Sequence, residues 1–344
     1  MMIFIGPRLA LVPSKGPADL TSSHLEMKMV FMTGWVRRFG AVIGVLALLA
    51  AAGCRSTGTD PTGGDGSLRI VTAFYPFQFV AQRVAGAHAV VTSLTKPGAE
   101  PHDLELTPRQ VASVTDADLV VYEKTFQAAV DEAVAQSGNR NVLNTATVVP
   151  LQDHGPLGDE TDHQDHAGNT NLDPHVWLDP ENMITITKAV EGRLASIDPR
   201  HRSDYHANAA ALTAQLKDLS ASYRSGLSDC RRTDFITSHA AFGYLAERYG
   251  LQQISISGLS PDTEPSPARI AEVQQLARQH GVTTIFYETL ISPAVARSIA
   301  GDLGLRTDVL DPIEGITDQS RGKDYIAVMK SNLTALAQAN GCSE

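Results

Sequence analysis

The sequence predicts an α/β protein in which two Rossmann-like lobes are joined by one long rigid helix. Predicted strands and helices alternate in two separate series, and a stretch that is predicted to be helical throughout lies between them. The 344 residues, 43% of them apolar, are enough for two hydrophobic cores. Two such lobes leave a cleft between them, and we expect the ligand site to lie there.

The start of the chain has the layout of a secretion signal. Arg37 and Arg38 precede an apolar stretch, residues 39–53, which is too short to span a bilayer comfortably. The run LLAAAGC resembles a bacterial lipobox. We therefore expect residues 1–53 to be a signal peptide and Cys54 to be the lipidated first residue of the mature protein. The alternative is a cleaved, soluble secreted protein.

The position of the start codon and the segment after the leader determine where folding begins. Met27 and two later methionines offer more ordinary starts, which leaves open whether residues 1–26 are translated. After the cysteine, the run RSTGTDPTGGDGS contains no apolar residue and cannot pack. Residues 54–67 are therefore predicted to be a flexible tether, and the folded part begins near Leu68.

We expect the first lobe at residues 68–200. Its predicted strands are LRIVTAF, AVVTSLT, ADLVVYE and ATVVP. Its predicted helices are PFQFVAQRVAG, TPRQVASVTD and FQAAVDEAVAQSG. Thr107 is the expected N-cap of the second helix, and Pro108 its first residue. A loop rich in histidine and aspartate, residues 152–172, belongs to the same lobe.

A helical segment connects this lobe to the second. From Pro180 to Gly226 the pattern is helical, with one break at IDPRH. We assign residues 201–227 to the linker helix, because this stretch is rich in Ala and Leu and has few helix breakers. The second lobe, residues 228–344, has the predicted strands DFITS, LQQISIS, TTIFYE and RTDVLD. Its predicted helices are AAFGYLAERYG, SPARIAEVQQLARQHG, SPAVARSIAGDLG and a last one from Asp324 to Asn340.

Charge and cysteine content limit the partners and the compartment. The formal net charge of -10 repels phosphate backbones, so we expect no nucleic-acid partner and regard cations as better candidates. Cys230 and Cys342 are the only cysteines after Cys54, and an oxidising compartment allows them to pair. The hypothetical disulfide would contribute roughly 4 to 5 kcal/mol in the chain-entropy model.

Three histidines share a setting in the predicted fold. His102 in PGAEPHDLE and His239 in ITSHAAFG lie where a predicted strand ends and a loop or helix begins. His175 in DPHVWLDP lies at the junction of the first lobe and the helical segment. Ligands of open α/β sheets bind at this edge. Each histidine alone is more often an ordinary hydrogen-bonded residue, but neutral imidazoles from separate loops suit a borderline metal such as zinc.

A closed zinc site needs a fourth ligand. The loop VLDPIEG supplies two acidic candidates, Asp311 and Glu314, and Glu288 and Glu100 are held in reserve. Three nitrogens and one carboxylate favour zinc over manganese, because manganese sites use more oxygen donors. We also expect each ligand histidine to donate its other ring N–H to a carboxylate or a carbonyl.

Five motifs resemble, in their order, the zinc-binding lipoproteins of bacterial ABC importers (ZnuA/AdcA type, metal-binding cluster A-I family). The resemblance covers residues 68–340 and rests on PGAEPHDLELTP, DPHVWLDP, TSHAAFGYLAERYGL, SGLSPDTEPSPARIAEV and VLDPIEGIT with GKDYIAVMKSNL. It implies a monomeric extracytoplasmic lipoprotein, anchored to the cell membrane, whose two lobes hold one Zn2+. Such a receptor delivers the ion to a membrane permease powered by an ATPase.

The resemblance also assigns the ligands. It implies His102, His175, His239 and Glu314, with Asp311 as the alternative fourth ligand because other relatives use an Asp there. A manganese receptor of the same family and an adhesin are alternative functions. A secreted zinc metallohydrolase is a weaker alternative, because the chain has no HExxH helix, Gly-x-Ser-x-Gly elbow or Gly-rich phosphate loop, and we expect no enzyme.

The remaining histidines fall into two groups. His154, His163 and His166 lie among acids in the predicted loop 152–172, which suggests a secondary, low-affinity zinc site on flexible backbone. The alternative is a solvated insertion without function. The second group is expected to be structural or solvated and consists of His88, His201, His206 and His280.

Overall fold

The computed structural model describes residues 67–154 and 172–343. These residues belong to one compact unit that spans 60–344. The predicted signal peptide, Cys54 and nearly all of the predicted tether lie outside the described residues, and so do His163 and His166.

The first part of the described chain forms a parallel sheet with crossover helices. Its strands are β1 (Leu68–Thr72), β2 (Ala89–Ser93), β3 (Leu119–Tyr122) and β4 (Val142–Asn144). Its helices are α1 (Tyr75–Ala85), α2 (Pro108–Asp116) and α3 (Ala128–Ser137). The strand order is β2-β1-β3-β4, and every residue of the central strand β3 is buried, as expected for a strand covered on both faces.

The start of α2 follows the predicted capping pattern. The Thr107 hydroxyl accepts a hydrogen bond from the Gln110 N–H, and the Gln110 side chain accepts one from the Thr107 N–H. Pro108 occupies the first turn, where the missing N–H costs nothing. The predicted N-cap is confirmed.

The prediction of ATVVP as the fourth strand is wrong. β4 ends at Asn144, and Thr145–Thr147 form a short 3-10 helix. The Asn144 side chain accepts a hydrogen bond from the Ala146 N–H, which favours a turn over extended backbone. Turn chemistry at Asn144 therefore outweighs the apolar residues that follow it.

A two-residue antiparallel ribbon lies at the base of the histidine- and aspartate-rich segment. β5 (Gln152–Asp153) pairs with β6 (Leu172–Asp173). Such short strands have no detectable periodicity, so the sequence did not predict them. The ribbon brings the side chains of His154 and Asp173 into contact.

Two consecutive helices, α4 (Pro180–Ile197) and α5 (Arg202–Gly226), follow the ribbon. A 3-10 turn, Pro199–His201, separates them at the predicted break. The 25-residue α5 contacts α4 and α1, and it also contacts α9 (Tyr325–Asn340) near the end of the chain. Its place in the chain is the one expected of the linker helix, while its rigidity and the exact lobe boundaries stay predictions.

The second part of the chain forms another parallel sheet. Its strands are β7 (Asp234–Thr237), β8 (Gln252–Ser255), β9 (Thr284–Tyr287) and β10 (Arg306–Val309). Its other helices are α6 (Gly243–Tyr249), α7 (Pro267–Gln279) and α8 (Ala294–Leu303). The strand order is β10-β9-β7-β8, so the residues that follow β7 and β9 lie side by side at one edge.

The largest apolar core includes residues from both parts of the chain. Phe74, Trp177 and Tyr325 are fully buried, and the rings of Phe74 and Trp177 meet edge to face at 4.6 Å. A second, smaller core, which includes Ile236, lies around the second sheet. Burial of shared apolar surface therefore holds the two parts together.

A disulfide joins Cys230 before β7 to Cys342 after α9. It covalently links the segment after α9 to the beginning of the second sheet.

Among the described helices, none combines the length and the apolar character that a bilayer crossing requires.

The break between α4 and α5 depends on one carboxylate. Asp198 accepts hydrogen bonds from His201 Nδ1 at 2.5 Å and from the Tyr205 hydroxyl at 3.0 Å. The hydrogen bond from His201 is the main reason why the pKa of Asp198 is lowered from 3.8 to about 2. A carboxyl whose pKa falls on folding stabilises the protein above its unfolded pKa, and this stability is lost as the pH falls through the folded value.

We expect Asp198→Asn to lower the free energy of unfolding at pH 7 by about 1–3 kcal/mol, because two buried or half-buried donors lose a charged acceptor. The variant should also lose less stability than the parent protein as the pH falls from 3.8 to about 2. Urea unfolding at a series of pH values measures both effects. Asp218→Asn, an exposed position on α5, is the control, and parallel pH curves for Asp198→Asn and the parent would contradict the assignment.

Candidate metal centre

Four side chains from distant parts of the chain converge on one point. His102, His175, His239 and Glu314 each offer one ligand atom, and these atoms lie within 4.8 Å of one another. The Oε1 atom of Glu314 is 3.3 Å from His102 Nε2, 3.6 Å from His175 Nε2 and 3.5 Å from His239 Nε2. The structure therefore brings together the four residues that the sequence and the resemblance selected.

The loop after β2 positions His102. Glu100 Oε2 accepts a hydrogen bond from the His102 N–H at 2.9 Å, and Gln127 Nε2 donates one to the Pro101 carbonyl at 3.0 Å. The ring of Phe126 meets the imidazole edge to face at 4.7 Å. These contacts hold the loop in place and leave His102 Nε2 facing Glu314.

Asp173 positions His175. Asp173 Oδ1 accepts hydrogen bonds from both the backbone N–H of His175 at 2.9 Å and its ring Nδ1 at 2.7 Å. The intervening Pro174 has a fixed φ, and its carbonyl accepts a hydrogen bond from the Val176 N–H at the start of the 3-10 turn Val176–Leu178. Because Nδ1 is engaged, the ring presents Nε2 to the cluster.

The edge of the second sheet positions His239. Two residues after the end of β7, its carbonyl accepts hydrogen bonds from the Thr237 hydroxyl and from Gln253 Nε2. Glu288, the first residue after β9, pairs with His239 Nδ1 at 2.8 Å. His239 Nε2 then lies 3.4 Å from His175 Nε2. Asp173 and Glu288 thus lie where the sequence analysis expects the carboxylate partners of His175 and His239.

A turn after β10 determines which acid faces the histidines. Ile313 adopts a positive φ of 59°, and its N–H donates a hydrogen bond to Asp311 Oδ1 at 2.8 Å. Asp311 Oδ2 accepts a further hydrogen bond from the Thr289 hydroxyl. Asp311 thus stabilises the turn and lies outside the four-residue cluster, whereas Glu314 points into it.

The aromatic side chain next to His175 connects this turn to the first part of the chain. Trp177 Nε1 donates a hydrogen bond to the Pro312 carbonyl at 2.7 Å, and the Tyr325 hydroxyl donates one to the Trp177 carbonyl at 2.6 Å. All these groups are buried. Pro312 lies two residues before Glu314, so this hydrogen bond connects the turn that carries Glu314 to the segment that carries His175.

The protonation balance of the cluster follows from burial and mutual contacts. Burial raises the pKa of Glu314, but hydrogen bonds from the three histidines outweigh it and hold that pKa well below its usual range. Burial lowers the pKa of His239, yet Glu288 and Glu314 together raise it well above the usual value. The pKa of His175 is also raised, because Asp173 more than offsets burial. Burial dominates at His102 and lowers its pKa.

Protons on imidazoles thus balance the carboxylate when no cation is bound. In a tetrahedral site with bonds of about 2.0–2.1 Å, neighbouring ligand atoms are roughly 3.3–3.4 Å apart. The separations of 3.3 to 3.6 Å between Glu314 Oε1 and the three Nε2 atoms are close to this value. Binding of one divalent cation would therefore exchange protons for the ion and bring the four ligand atoms, which lie within 4.8 Å of one another, to this spacing.

The two reserve acids lie beside the cluster. Glu288 is the partner of His239 Nδ1. Glu100 Oε1 lies 3.9 Å from His102 Nε2, and burial, together with the charge of Glu314, raises the pKa of Glu100 to about 7. Neither belongs to the group of four.

The other histidines lie apart from the cluster. His154 is bonded to Asp173 and Glu247, so its side chain is held rather than placed on flexible backbone as the sequence suggested. Its metal binding, with that of His163 and His166, stays a prediction. Each member of the second group faces a carboxylate, and the pairs are His88 with Asp204, His201 with Asp198, His206 with Glu191 and His280 with Asp234.

Sequence reasoning missed Asp173, Gln127 and Tyr244 as supports of the site. Asp173 had a local signal, because an aspartate often accepts a hydrogen bond from the N–H two residues later. Gln127 and Tyr244 had none, since they reach Pro101 and Asp173 across 26 and 71 residues of chain.

The geometry agrees with a comparison against protein families. The family model described as zinc-uptake complex component A, periplasmic, matches residues 70–339. The chain belongs to this family.

Relatives of the zinc-uptake component A family match over most of the chain. The chain is 37% identical over 280 residues to zinc-binding lipoprotein AdcA of Streptococcus pneumoniae strain R6, which covers 80% of the chain and 56% of AdcA. It thus spans about half the length of that relative. It is 36% identical over 305 residues to high-affinity zinc uptake system protein ZnuA of Bacillus subtilis strain 168, covering 84% of the chain and 92% of ZnuA.

A solved structure extends the similarity to three dimensions. The crystal structure of the Zn(II)-bound ZnuA-like domain of Streptococcus pneumoniae AdcA superposes with a TM-score of 0.67 at 36% identity. The match covers 80% of this chain and 99% of that domain. The predicted α/β fold and the resemblance to zinc-binding lipoproteins are confirmed.

The pKa of His239 provides a test of the site electrostatics. Because Glu288 is the main group that raises it, we expect Glu288→Gln to lower the pKa of His239 in the metal-free protein. Titration of 15N-labelled histidine by NMR measures this change. Glu191→Gln, which removes the partner of the exposed His206, is the matched control and should leave His239 unaffected. An unchanged His239 titration in Glu288→Gln would contradict the assigned contact.

Proposed function

We propose that this chain is an extracytoplasmic receptor that captures Zn2+ and delivers it to the membrane permease of an ABC importer powered by an ATPase. His102, His175, His239 and Glu314 are the proposed ligands. The observation that carries the proposal is the position of Glu314 Oε1, which lies 3.3 to 3.6 Å from three imidazole Nε2 atoms. The family and its relatives, which are described by zinc uptake or zinc binding, support the same cargo.

The donor set favours zinc over manganese. Imidazole nitrogens suit zinc, whereas manganese prefers carboxylate, carbonyl and water oxygens. The cluster offers three nitrogens and one carboxylate. Asp311, which would add a second carboxylate, is engaged with Ile313 and Thr289.

A receptor fits the site better than a hydrolase does. Catalytic zinc keeps one position open for water, while four protein ligands close a tetrahedral site. The family itself is one of uptake components, not enzymes. We therefore propose a binding protein without catalytic activity.

Lipidation of Cys54 would anchor the chain to the membrane, and residues 54–67 would be the tether that lets it reach the permease. The periplasmic designation of the family supports a location outside the cytoplasm. We propose that the receptor acts as a monomer.

Metal competition tests the cargo directly. We expect the purified metal-free protein to bind one Zn2+ tightly and to prefer it to Mn2+, because three of its four donors are imidazoles. Titration with each ion in competition with a chromophoric chelator measures both affinities. Tighter binding of Mn2+ would overturn the zinc assignment in favour of a manganese receptor.

Substitutions at the fourth position distinguish the two acids. We expect Glu314→Gln to weaken zinc binding by more than about 100-fold, which exceeds the 10- to 100-fold typical of groups outside the ligand set. Asp311→Asn can still accept a hydrogen bond from the Ile313 N–H and should cost less. The same competition titration compares them. A larger loss in Asp311→Asn would reverse the assignment of the fourth ligand.

Growth of a deletion strain separates import from adhesion. We expect the strain to grow poorly when a chelator limits zinc, and added zinc to restore growth. Complementation with the Glu314→Gln gene should fail at limiting zinc if the bound ion is the cargo. Normal growth of the deletion strain under chelation, together with impaired attachment to host or matrix protein, would support the adhesin alternative instead.

A further inference from the structure

A chain of hydrogen bonds leads away from His175 to the surface of the second part of the protein. His175 Nδ1 pairs with Asp173 Oδ1 at 2.7 Å, and Asp173 Oδ2 pairs with His154 Nδ1 at 2.9 Å. His154 Nε2 then pairs with Glu247 Oε2 on α6 at 3.3 Å. The chain connects residues that are 93 positions apart in sequence, His154 and Glu247.

One carboxylate oxygen of Asp173 has His154 as its hydrogen-bond partner. Its side chain is completely buried, and its two oxygens face different histidines. A buried carboxylate oxygen without a partner costs a substantial part of its hydration free energy. His154 supplies the partner for Oδ2, so Oδ1 can remain on the ring and the backbone N–H of His175.

The chemistry of the four groups determines which of their nitrogen atoms carry a hydrogen. The carboxylates of Asp173 and Glu247 only accept hydrogen bonds, so both nitrogens of His154 carry a hydrogen when both bonds form. His154 is then an imidazolium between two carboxylates, and His175 Nδ1 is the donor to Asp173. This tautomer leaves His175 Nε2 free for a metal ion.

Helix α6 encloses His154 closely. The ring of Tyr244 meets the His154 ring edge to face at 4.4 Å, and the Tyr244 hydroxyl donates a hydrogen bond to the Asp173 carbonyl at 2.8 Å. A Cβ atom at Gly243 would lie 2.5 Å from His154 Cβ and 2.7 Å from Asp173 Oδ2. Only glycine at position 243 lets the first turn of α6 approach His154 and Asp173 this closely.

We propose that His154 is a positioning residue of the metal site, which holds His175 through Asp173 and couples its orientation to helix α6 through Glu247. The proposal rests on the proposed zinc-binding function. His175 and His154 flank the ribbon β5–β6, whereas Glu247 belongs to the second sheet's connections. Zinc affinity therefore depends on a contact between the two parts of the chain outside the ligand set.

Three variants of the mature full-length chain test this role. His154→Ala removes both hydrogen bonds, His154→Gln preserves volume but carries no charge, and Glu247→Gln weakens only the contact with α6. His206→Gln is the matched control, because His206 is an exposed histidine that pairs with Glu191 at 2.8 Å away from the cluster. Each variant is first checked by thermal unfolding, and then its Zn2+ affinity is measured against a chelator.

We expect His154→Ala to weaken tight zinc binding by roughly 10-fold or more, as is typical of partners of ligand groups. Glu247→Gln should have a smaller effect of the same sign, and His206→Gln none. In a double-mutant cycle, His154→Ala should cost little in an Asp173→Asn background, because its effect passes through Asp173. The Nδ1–H resonance of His175 in the zinc-loaded protein, observed by 15N-histidine NMR, should shift in His154→Gln and not in His206→Gln.

Other outcomes would overturn the inference. If His154→Ala and Glu247→Gln bind zinc like the parent protein and the His175 resonance is unchanged, His154 does not position the ligand. If His154→Ala removes only a weak second phase of the titration, His154 is a secondary ligand instead. If His154→Ala fails to fold, unchanged affinity and an unchanged resonance in His154→Gln and Glu247→Gln still contradict the proposal. Absence of zinc binding by the parent protein would contradict the proposed function itself, which is a distinguishable result.

Discussion

A buried carboxylate that faces three imidazole nitrogens must be neutralised, and the architecture around Glu314 follows from this requirement. The Glu314 side chain has no exposed surface, so its charge is not balanced by water. Protons on the histidines satisfy it in the metal-free state, and a divalent cation can replace them. The neighbouring acids, Asp173 and Glu288, add further negative charge next to the histidines. Each accepts a hydrogen bond from the Nδ1 atom of one histidine, so the imidazole protons offset these charges as well.

The same requirement explains why both sheets are needed. His102 and His175 come from the first part of the chain, and His239 and Glu314 from the second. Trp177 connects them by packing in the shared core and donating a hydrogen bond to Pro312, near the turn that carries Glu314. Apolar burial thus supplies the stability, and the polar contacts supply the geometry. In the proposed function, the cation would bind where the two sheets meet, within the compact unit and the apolar core that they share.

Much of this was predictable from the sequence, and the parts that were not have physical reasons. His239 could be located because the ends of parallel strands share one edge, and the alternation of strands and helices was clear. The choice between Asp311 and Glu314 was not, since both lie in one turn and the positive φ of Ile313 decides which side chain faces inward. The pairing of His154 with Glu247 had no local signal, because it depends on how α6 packs against the ribbon.

X-ray absorption at the zinc edge of the zinc-loaded protein tests the proposed ligand set, because it counts the donors around the ion. We expect four light-atom ligands at about 2.0–2.1 Å with the multiple-scattering signature of three imidazoles. Loss of one imidazole contribution should accompany substitution of His102, His175 or His239. A spectrum with fewer than three imidazoles, or with six oxygen donors, would rule out this ligand set.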